Sequence, residues 1–374
     1  MLNRFKIDKA LVLYIVLFFV TSIISIYCAS MYLSPSLGNL VIKQSLWYII
    51  GIIFIIAIIK LKNQTIYKYT WYIYLANLVL LAGLLFLAPT INGSKCWYVI
   101  SGIGSFQPSE FMKISLILMI AKTIDNFKQQ YKNPTLIEEF KLICIILIIY
   151  LIPSILTFLE PDTGAVLIYT IITILMLFIS GIRIRWFLIL FSIILIFLTS
   201  FLVIYFFNQD LFINIFGSSF FYRIDRIINW QSGSGMQLTN SLSAIGSSGL
   251  LGHGFNKTPL YFPEAGTDFI FAVFSSNFGL IGSLALILLI TLFDLKLINI
   301  GRSDINKIDK YVIIGIIGIL FYQQVQNISM TIGLLPITGI TLPFISYGGS
   351  SLISYMILLG LIFNIYNSIY NKEK

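Results

Sequence analysis

Charge is scarce in this sequence, and histidine and cysteine are scarcer still. Charged residues make up 10% of the 374 residues, with one histidine and three cysteines. The single histidine, His253, gives little support to a histidine-based metal site or a Ser-His-Asp triad. Cys28, Cys96 and Cys144 lack metal-ligand spacing, and we expect no disulfide between them. The chain is instead 58% hydrophobic with a mean hydropathy of +0.94, which no soluble domain tolerates.

The hydrophobic residues fall into runs long enough to cross a bilayer, which takes about 20 apolar residues. We therefore predict an all-α polytopic membrane protein with ten transmembrane helices in a single domain, residues 1–374. The predicted spans are 10–30, 41–59, 71–89, 107–124, 141–159, 163–181, 186–207, 267–293, 311–332 and 350–370.

Basic residues set the predicted orientation. Of the 24 lysines and arginines, the following fall in the outer half: Lys43, Lys95, Lys113, Arg223, Arg226 and Lys257. The others flank the opposite ends of the spans, so the positive-inside rule places both termini in the cytoplasm. The net charge of +9 reflects this bias toward anionic membrane lipid, and we expect no nucleic acid partner.

Glycine, proline and polar residues concentrate on the predicted outer face. Four segments carry them: 89–109, 160–164, a large extracytoplasmic loop at about 208–266 between predicted helices 7 and 8, and 335–351. Irregular backbone at membrane depth survives only where it lines a cavity. We expect these segments to wall one polar cavity that opens outward.

A lone carboxylate, Asp268, stands at the mouth of the eighth predicted span. One explanation is structural, with Thr267 or Asp268 capping the helix or Asp268 pairing with a lysine. The other makes Asp268 a catalytic base. We expect Glu264 and Asp268 to lie at the same depth as Glu110 and Lys113, and clustered acids and bases in one cleft favour function.

The remaining charged groups allow two explanations each. Glu110 and Lys113 are neighbours on one helix face, as a structural pair or as a cation presented to an anionic substrate. Glu160 and Asp162 either end one helix and cap the next or line the cavity.

Arg223 and Arg226 open the long outer loop. They could grip a phosphate group or form a solvated interfacial turn. The glycine-rich stretch 244–254 lacks the lysine of a nucleotide-binding loop, and we expect a tightly turning loop.

Four segments together resemble the SEDS family (shape, elongation, division and sporulation), whose familiar members are RodA and FtsW. They are Trp97 with Phe106-Gln107-Pro108-Ser109-Glu110-Phe111-Met112-Lys113, Glu160-Pro161-Asp162-Thr163-Gly164, Pro263-Glu264 with Thr267-Asp268-Phe269-Ile270-Phe271-Ala272-Val273, and Asn327 with the stretch 333–351. The resemblance covers nearly the whole chain in the right order. The short N-terminus and the first segment are more similar to RodA than to FtsW.

The resemblance implies a ten-span peptidoglycan glycosyltransferase in the bacterial cytoplasmic membrane. It would polymerise lipid II, an undecaprenyl-diphosphate-linked disaccharide peptide, on the outer face during cell elongation, beside a class B penicillin-binding protein. The family's essential Asp corresponds to Asp268, and its functional Glu and Lys to Glu110 and Lys113. One departure is clear: the family's adjacent acids are replaced here within Ser275-Ser276-Asn277.

The hypothesis for the mechanism has Asp268 take a proton from the attacking sugar hydroxyl. Glu264 would contact the substrate, and Lys113 with Arg223 or Arg226 would supply positive charge to the diphosphate. A divalent cation could assist, although the sequence shows no committed metal site. The alternatives are a flippase for lipid-linked saccharide and a catalytically inactive scaffold.

Overall fold

The structure is a computed structural model that describes residues 6–30, 39–91, 94–100, 104–218, 221, 235–261, 263–303 and 306–372. The regular secondary structure within these ranges is helical apart from a short antiparallel hairpin, β1 (Tyr98–Ile100) and β2 (Gly104–Phe106), in which Tyr98 pairs with Phe106. The helices are α1 (Lys9–Ser30), α2 (Leu40–Leu61), α3 (Asn63–Lys68), α4 (Thr70–Leu87), α5 (Pro108–Gln130), α6 (Leu136–Leu159), α7 (Thr163–Ile179), α8 (Ile184–Phe207), α9 (Gln209–Phe216), α10 (Gly235–Ser247), α11 (Ile270–Arg302), α12 (Lys307–Thr331) and α13 (Gly349–Lys372).

The all-α membrane class is confirmed. In the described part of the chain, 8 helices are long and apolar enough to cross a membrane, namely α1, α2, α4, α6, α8, α11, α12 and α13. Helix α7 is apolar but 17 residues long, and α5 carries several charged residues within its first five turns. Each predicted span overlaps one of these helices, while the ten-span count and the cytoplasmic termini stay predictions.

Local sequence signals explain where several helices begin. Thr135 and Glu138 form a capping box at the start of α6, and the Asp162 side chain accepts from Ala165 N at the start of α7. Helix α5 opens with Pro108, whose missing N–H costs nothing in the first turn. The Asp162 cap thus fixes the end of the 160–164 corner from which α7 begins.

Helices α12 and α13 are the most buried of the candidate spans. In each of them, 61% of the residues in an apolar stretch of 18 are buried. Helix α13 packs on α2, and α12 packs on α5, α7 and α11. Helix α8 is the least buried candidate span, because 0% of the residues in its apolar stretch of 18 are buried. Its main neighbour is α9. The N-terminal ends of α5, α7, α11 and α13 and the C-terminal end of α12 therefore form a fixed frame for the polar segments between them.

Helix α11 is kinked at Gly279, which has φ 66° and ψ −163°. The residues after α10 fill the break, because Gly249 O and Leu250 O accept from Leu280 N and Ile281 N at 3.0 and 3.1 Å. A Cβ at Gly279 would lie 2.3 Å from Gly252 N, so only glycine fits this approach. The predicted 208–266 loop is thus partly helical, with α9 and α10 inside it, and its end is bonded to α11.

Candidate functional site

Asp268 lies in the turn that precedes α11. The predicted span placed it inside the helix, but the first helical residue is Ile270 and the N-cap is Phe269, which makes no side-chain cap bond. Neither Thr267 nor Asp268 is therefore the N-cap of this helix, so the capping form of the structural explanation does not hold. In the described ranges no salt bridge pairs Asp268 with a lysine or arginine. Asp268 as a whole is partly exposed.

The backbone of this turn is held at three consecutive carbonyl groups. Gly266 O accepts from Tyr347 N at 2.9 Å, and Thr267 O accepts from Ser346 Oγ at 2.6 Å. Asp268 O accepts from Asn327 Nδ2 at 2.8 Å. The segment between α12 and α13, together with α12 itself, thereby fixes the turn without using the carboxylate.

Gly339 forms part of the surface beneath the carboxylate. It has φ +69°, and a Cβ at this position would lie 3.5 Å from Asp268 Oδ2. Glycine adopts this backbone conformation without the strain that other residues incur. The 332–348 segment therefore contributes both bonds to the turn and the close neighbour of Asp268.

The deep setting of the turn changes the acidity of Asp268. Burial, with a smaller contribution from the negative charge of Glu264, raises the pKa of Asp268 to about 7. Glu264 is exposed, and its Oε2 accepts from Thr267 Oγ1 at 2.8 Å. A carboxyl group with a pKa near neutrality is suited to accept a proton from a substrate.

Glu110 and Lys113 form the predicted pair near the start of α5. Lys113 Nζ lies 2.5 Å from Glu110 Oε2, and Lys113 is 1% exposed. Ser354 Oγ also donates to Glu110 Oε2 at 3.3 Å, and Lys113 Nζ lies 5.4 Å from the centre of the Tyr355 ring. The ammonium group is thus enclosed and partnered in this conformation.

The two charged groups share a neighbour, the residues 338–341. The carboxylate of Asp268 lies over Gly339, while Thr341 Oγ1 lies 3.5 Å from the hydroxyl of Tyr355, beside Lys113. In the part of the chain that the structure describes, no hydrogen bond or ion pair joins Asp268 to the Glu110–Lys113 pair. The predicted convergence is therefore indirect.

The 160–164 corner lies next to the start of α5. Asp162 Oδ2 accepts from Gln107 Nε2 and from Ser109 Oγ, both at 3.0 Å, while Oδ1 caps α7. The capping explanation is confirmed, and the same carboxylate ties α5 to α7. Asp162 thereby sets the position of the helix end that carries Glu110.

Glu160 was not singled out for burial, yet it is 0% exposed. Neither of its carboxylate oxygens has a hydrogen-bond partner among the described residues. Burial and, to a smaller degree, the nearby charge of Asp162 raise the pKa of Glu160 to about 8. The sequence signal was weak, because an acid before a proline at a helix end usually faces water.

The triplet Ser275-Ser276-Asn277 attaches the outer loop to α11. Asn277 Nδ2 donates to Thr258 Oγ1 at 2.6 Å, and Asn277 Oδ1 accepts from Lys257 N at 3.0 Å. His253 Nδ1 lies 3.0 Å from Ser276 O. Neutral side chains therefore perform a structural task at the positions where the resemblance led us to expect acids.

Some predicted features are outside what the structure tests. Arg223 and Arg226 lie outside the described residues. Among the described residues, no group of three or more His, Cys, Asp or Glu side chains is arranged to hold a metal ion, so assistance by a divalent cation stays a prediction. A cavity of about 290 Å³ lies at the far end of α5, lined in part by Thr123 and Tyr131, away from Asp268.

Comparisons with known proteins identify the family of the chain. The FtsW/RodA/SpoVE family model, described as cell cycle protein, matches residues 8–371. The probable peptidoglycan glycosyltransferase FtsW of Coxiella burnetii is 36% identical over 79% of this chain and 78% of its own length. The stage V sporulation protein E of Bacillus subtilis is 34% identical over 73% of this chain and 72% of its own length.

Solved structures show the same fold. A chain of a peptidoglycan synthase complex, studied for the coordination of polymerization and crosslinking, superposes with a TM-score of 0.78 at 24% identity, covering 97% of this chain and 98% of that one. The rod shape determining protein RodA of Thermus thermophilus gives a TM-score of 0.70 at 24% identity over 98% and 99%.

Fold and comparisons together define the class, that of multi-pass proteins of the bacterial cytoplasmic membrane related to peptidoglycan glycosyltransferases. The chain belongs to the SEDS family of FtsW, RodA and SpoVE.

Proposed function

We propose that this protein is a peptidoglycan glycosyltransferase that polymerises lipid II on the outer face of the membrane, with Asp268 as general base. One observation carries the assignment of Asp268: its backbone carbonyl groups hold the turn, the residue is partly exposed, and its carboxylate makes no ion pair with any residue that the structure describes. The names of the relatives support the reaction class.

The reaction needs one base and a stable leaving group. Asp268 would take the proton of the acceptor hydroxyl while its oxygen forms a bond to the anomeric carbon of the donor. The bond between that carbon and the diphosphate breaks, and the electron pair leaves with the polyprenyl diphosphate. Since diphosphate is a stable anion, no second carboxyl group is needed to protonate it, unlike in the two-carboxylate hydrolases. Direct displacement gives a β-linkage from an α-linked donor.

Positive charge would have to reach the diphosphate. Lys113 is buried and bonded to Glu110, so its contribution would be through the electric field and the placement of α5 rather than direct contact in this conformation. Arg223 and Arg226 remain our candidates for direct contact, Glu264 for a contact with the acceptor, and a divalent cation for further assistance. A class B penicillin-binding protein is the proposed partner.

The cellular role we propose is elongation, on the basis of the segment Phe106–Lys113 alone. The relatives carry names from division and sporulation as well as rod shape. Expression of the chain in strains depleted of their own RodA or FtsW would separate these roles, because restored rods support elongation and restored septa contradict it.

The experiment for the activity uses the purified full chain with labelled lipid II and no other polymerase. The natural protein should give glycan chains on a gel, and Asp268→Asn should give none while its thermal unfolding stays unchanged. Polymerisation retained in Asp268→Asn would contradict the assignment of the base.

The flippase alternative has one supporting observation. Asp294, buried within α11, accepts from Gln324 Nε2 at 3.3 Å, so a polar pair lies within the membrane-spanning part of the bundle. Movement of labelled lipid II between leaflets without chain formation would favour a flippase over a polymerase.

A further inference from the structure

Asn327 is a buried asparagine near the C-terminal end of α12, and it is 0% exposed. Its side chain bonds to two backbone groups that are far apart in sequence. Nδ2 donates to Asp268 O at 2.8 Å and to Ile340 O at 2.7 Å. One amide group therefore bridges the turn that carries Asp268 and the segment that passes beneath it.

This bridge uses every donor that the side chain has. A primary amide offers two N–H groups, and both are directed at carbonyl oxygens here. The amide cannot be turned over, because Oδ1 would then face the same two carbonyl oxygens. Oδ1 is left buried without a partner among the described residues, which is unfavourable in itself.

The bridge joins the two parts of the backbone that determine where the carboxylate lies. Asp268 carries the carboxylate, and a Cβ on Gly339, the residue before Ile340, would lie 3.5 Å from its Oδ2. If the two backbones separated, the carboxylate would lose its neighbour on one side and gain freedom of rotation. A base must be held within a fraction of an ångström of the hydroxyl it serves.

We propose that Asn327 is a positioning residue for the base, which fixes the Asp268 carboxylate by joining the Asp268 turn to the Gly339–Ile340 backbone. This inference depends on the proposed function of Asp268. The competing explanation is that Asn327 only fastens the 332–348 segment to α12, without any effect on Asp268.

Gln326 provides the matched control. It is the preceding residue of the same helix, is 5% exposed, and donates Nε2 to Pro336 O at 3.0 Å. It therefore fastens the same segment by an amide-to-carbonyl bond of the same kind. No bond joins it to Asp268 among the described residues, so it separates fastening from positioning.

The test compares Asn327→Leu with Gln326→Met, two neutral replacements of similar size, in the purified full chain with labelled lipid II. We expect Asn327→Leu to lower kcat by about 10- to 100-fold with a much smaller change in KM, because a displaced base affects the transition state more than binding. Gln326→Met should stay within about three-fold of the natural protein. The pH dependence of kcat should also move in Asn327→Leu alone, because the surroundings of Asp268 change.

Three results would overturn the inference: equal losses in both variants, a change confined to KM, or an unchanged kcat in Asn327→Leu. Should Asn327→Leu fail to fold, Asn327→Ser is measured instead, because its short neutral hydroxyl has one donor and cannot bridge both carbonyl oxygens, and the same loss of kcat is expected. Asp268→Asn is measured alongside. If it remains active, the proposed base fails; if it is inactive while Asn327→Leu is normal, only the positioning role fails.

Discussion

Two carboxyl groups at the ends of helices, those of Asp268 before α11 and Glu160 after α6, differ in their exposure. At Asp268 and at Glu160, burial raises the pKa of the carboxyl group, to about 7 and about 8. Asp268 is partly exposed, whereas Glu160 is completely enclosed. A raised pKa therefore does not identify a base, because a carboxyl group must also reach the group whose proton it takes.

The largest expected effect comes from removing the carboxylate of Asp268. Asp268→Asn should lower the polymerisation rate by about 10²- to 10⁴-fold, the usual contribution of a general base. Glu160→Gln, measured in the same gel assay, should keep most of the activity because Glu160 is enclosed. Equal losses in the two variants would remove the distinction between the two carboxyl groups.

The Glu110–Lys113 pair gives the next largest effect. Lys113→Met leaves Glu110 without its cation and should lower the free energy of unfolding by about 3–5 kcal/mol. The double variant Glu110→Gln with Lys113→Met removes both charges and should recover most of that stability. Thermal unfolding of the three proteins in detergent measures this recovery.

Activity of the same double variant tests the role of the charge. If Lys113 supplies positive potential to the diphosphate, the double variant should fold and remain slow. Recovery of the full polymerisation rate together with stability would show that the pair only holds the start of α5 in place.

The pH dependence of polymerisation sharpens the comparison further. A base is active when deprotonated, so the rate should fall about tenfold for each pH unit below a pKa of about 7 and level off above it. Glu264→Gln removes the nearby negative charge and therefore lowers the pKa of Asp268. The fall in rate at acidic pH should then begin at a lower pH. The movement should be modest, because burial is the larger cause of the shift. A fall in rate that begins at a higher pH in Glu264→Gln would contradict the conclusion that the charge of Glu264 raises the pKa of Asp268.

The sequence predicted the helices well, because a long apolar run is a strong local signal. Predicted span 71–89 corresponds to Thr70–Leu87, and 163–181 to Thr163–Ile179. Helix Gly235–Ser247 was expected to be loop, since its serines and glycines give no apolar run. The kink at Gly279 was also missed, because the loop that stabilises it comes from before α11.

The candidate site was predictable in its charges but not in its contacts. Asp268, Glu110 and Lys113 were expected from their positions in apolar surroundings. The bridge from Asn327 was not, because its partners lie 59 and 13 residues away and are backbone carbonyl groups, which every sequence has. Burial of Glu160 depends in the same way on residues packed around it, such as Cys96, whose Sγ lies 3.0 Å from Glu160 O.

A last prediction tests the enclosed carboxyl group of the comparison, that of Glu160. The pKa of Glu160 is raised from 4.5 to about 8 in the folded protein, so folding favours its protonated form. As the pH rises from about 4.5, an unfolded chain releases this proton while the folded chain retains it, and the stability from this group is lost progressively up to about pH 8. Glu160→Gln is neutral at every pH and lacks this loss. Thermal midpoints of the two proteins should agree near pH 4.5 and differ by a few degrees in favour of the variant above pH 8. If the thermal midpoints of the two proteins changed in parallel with pH, Glu160 would not be enclosed in solution. The difference in exposure between Glu160 and Asp268 would then not hold in solution.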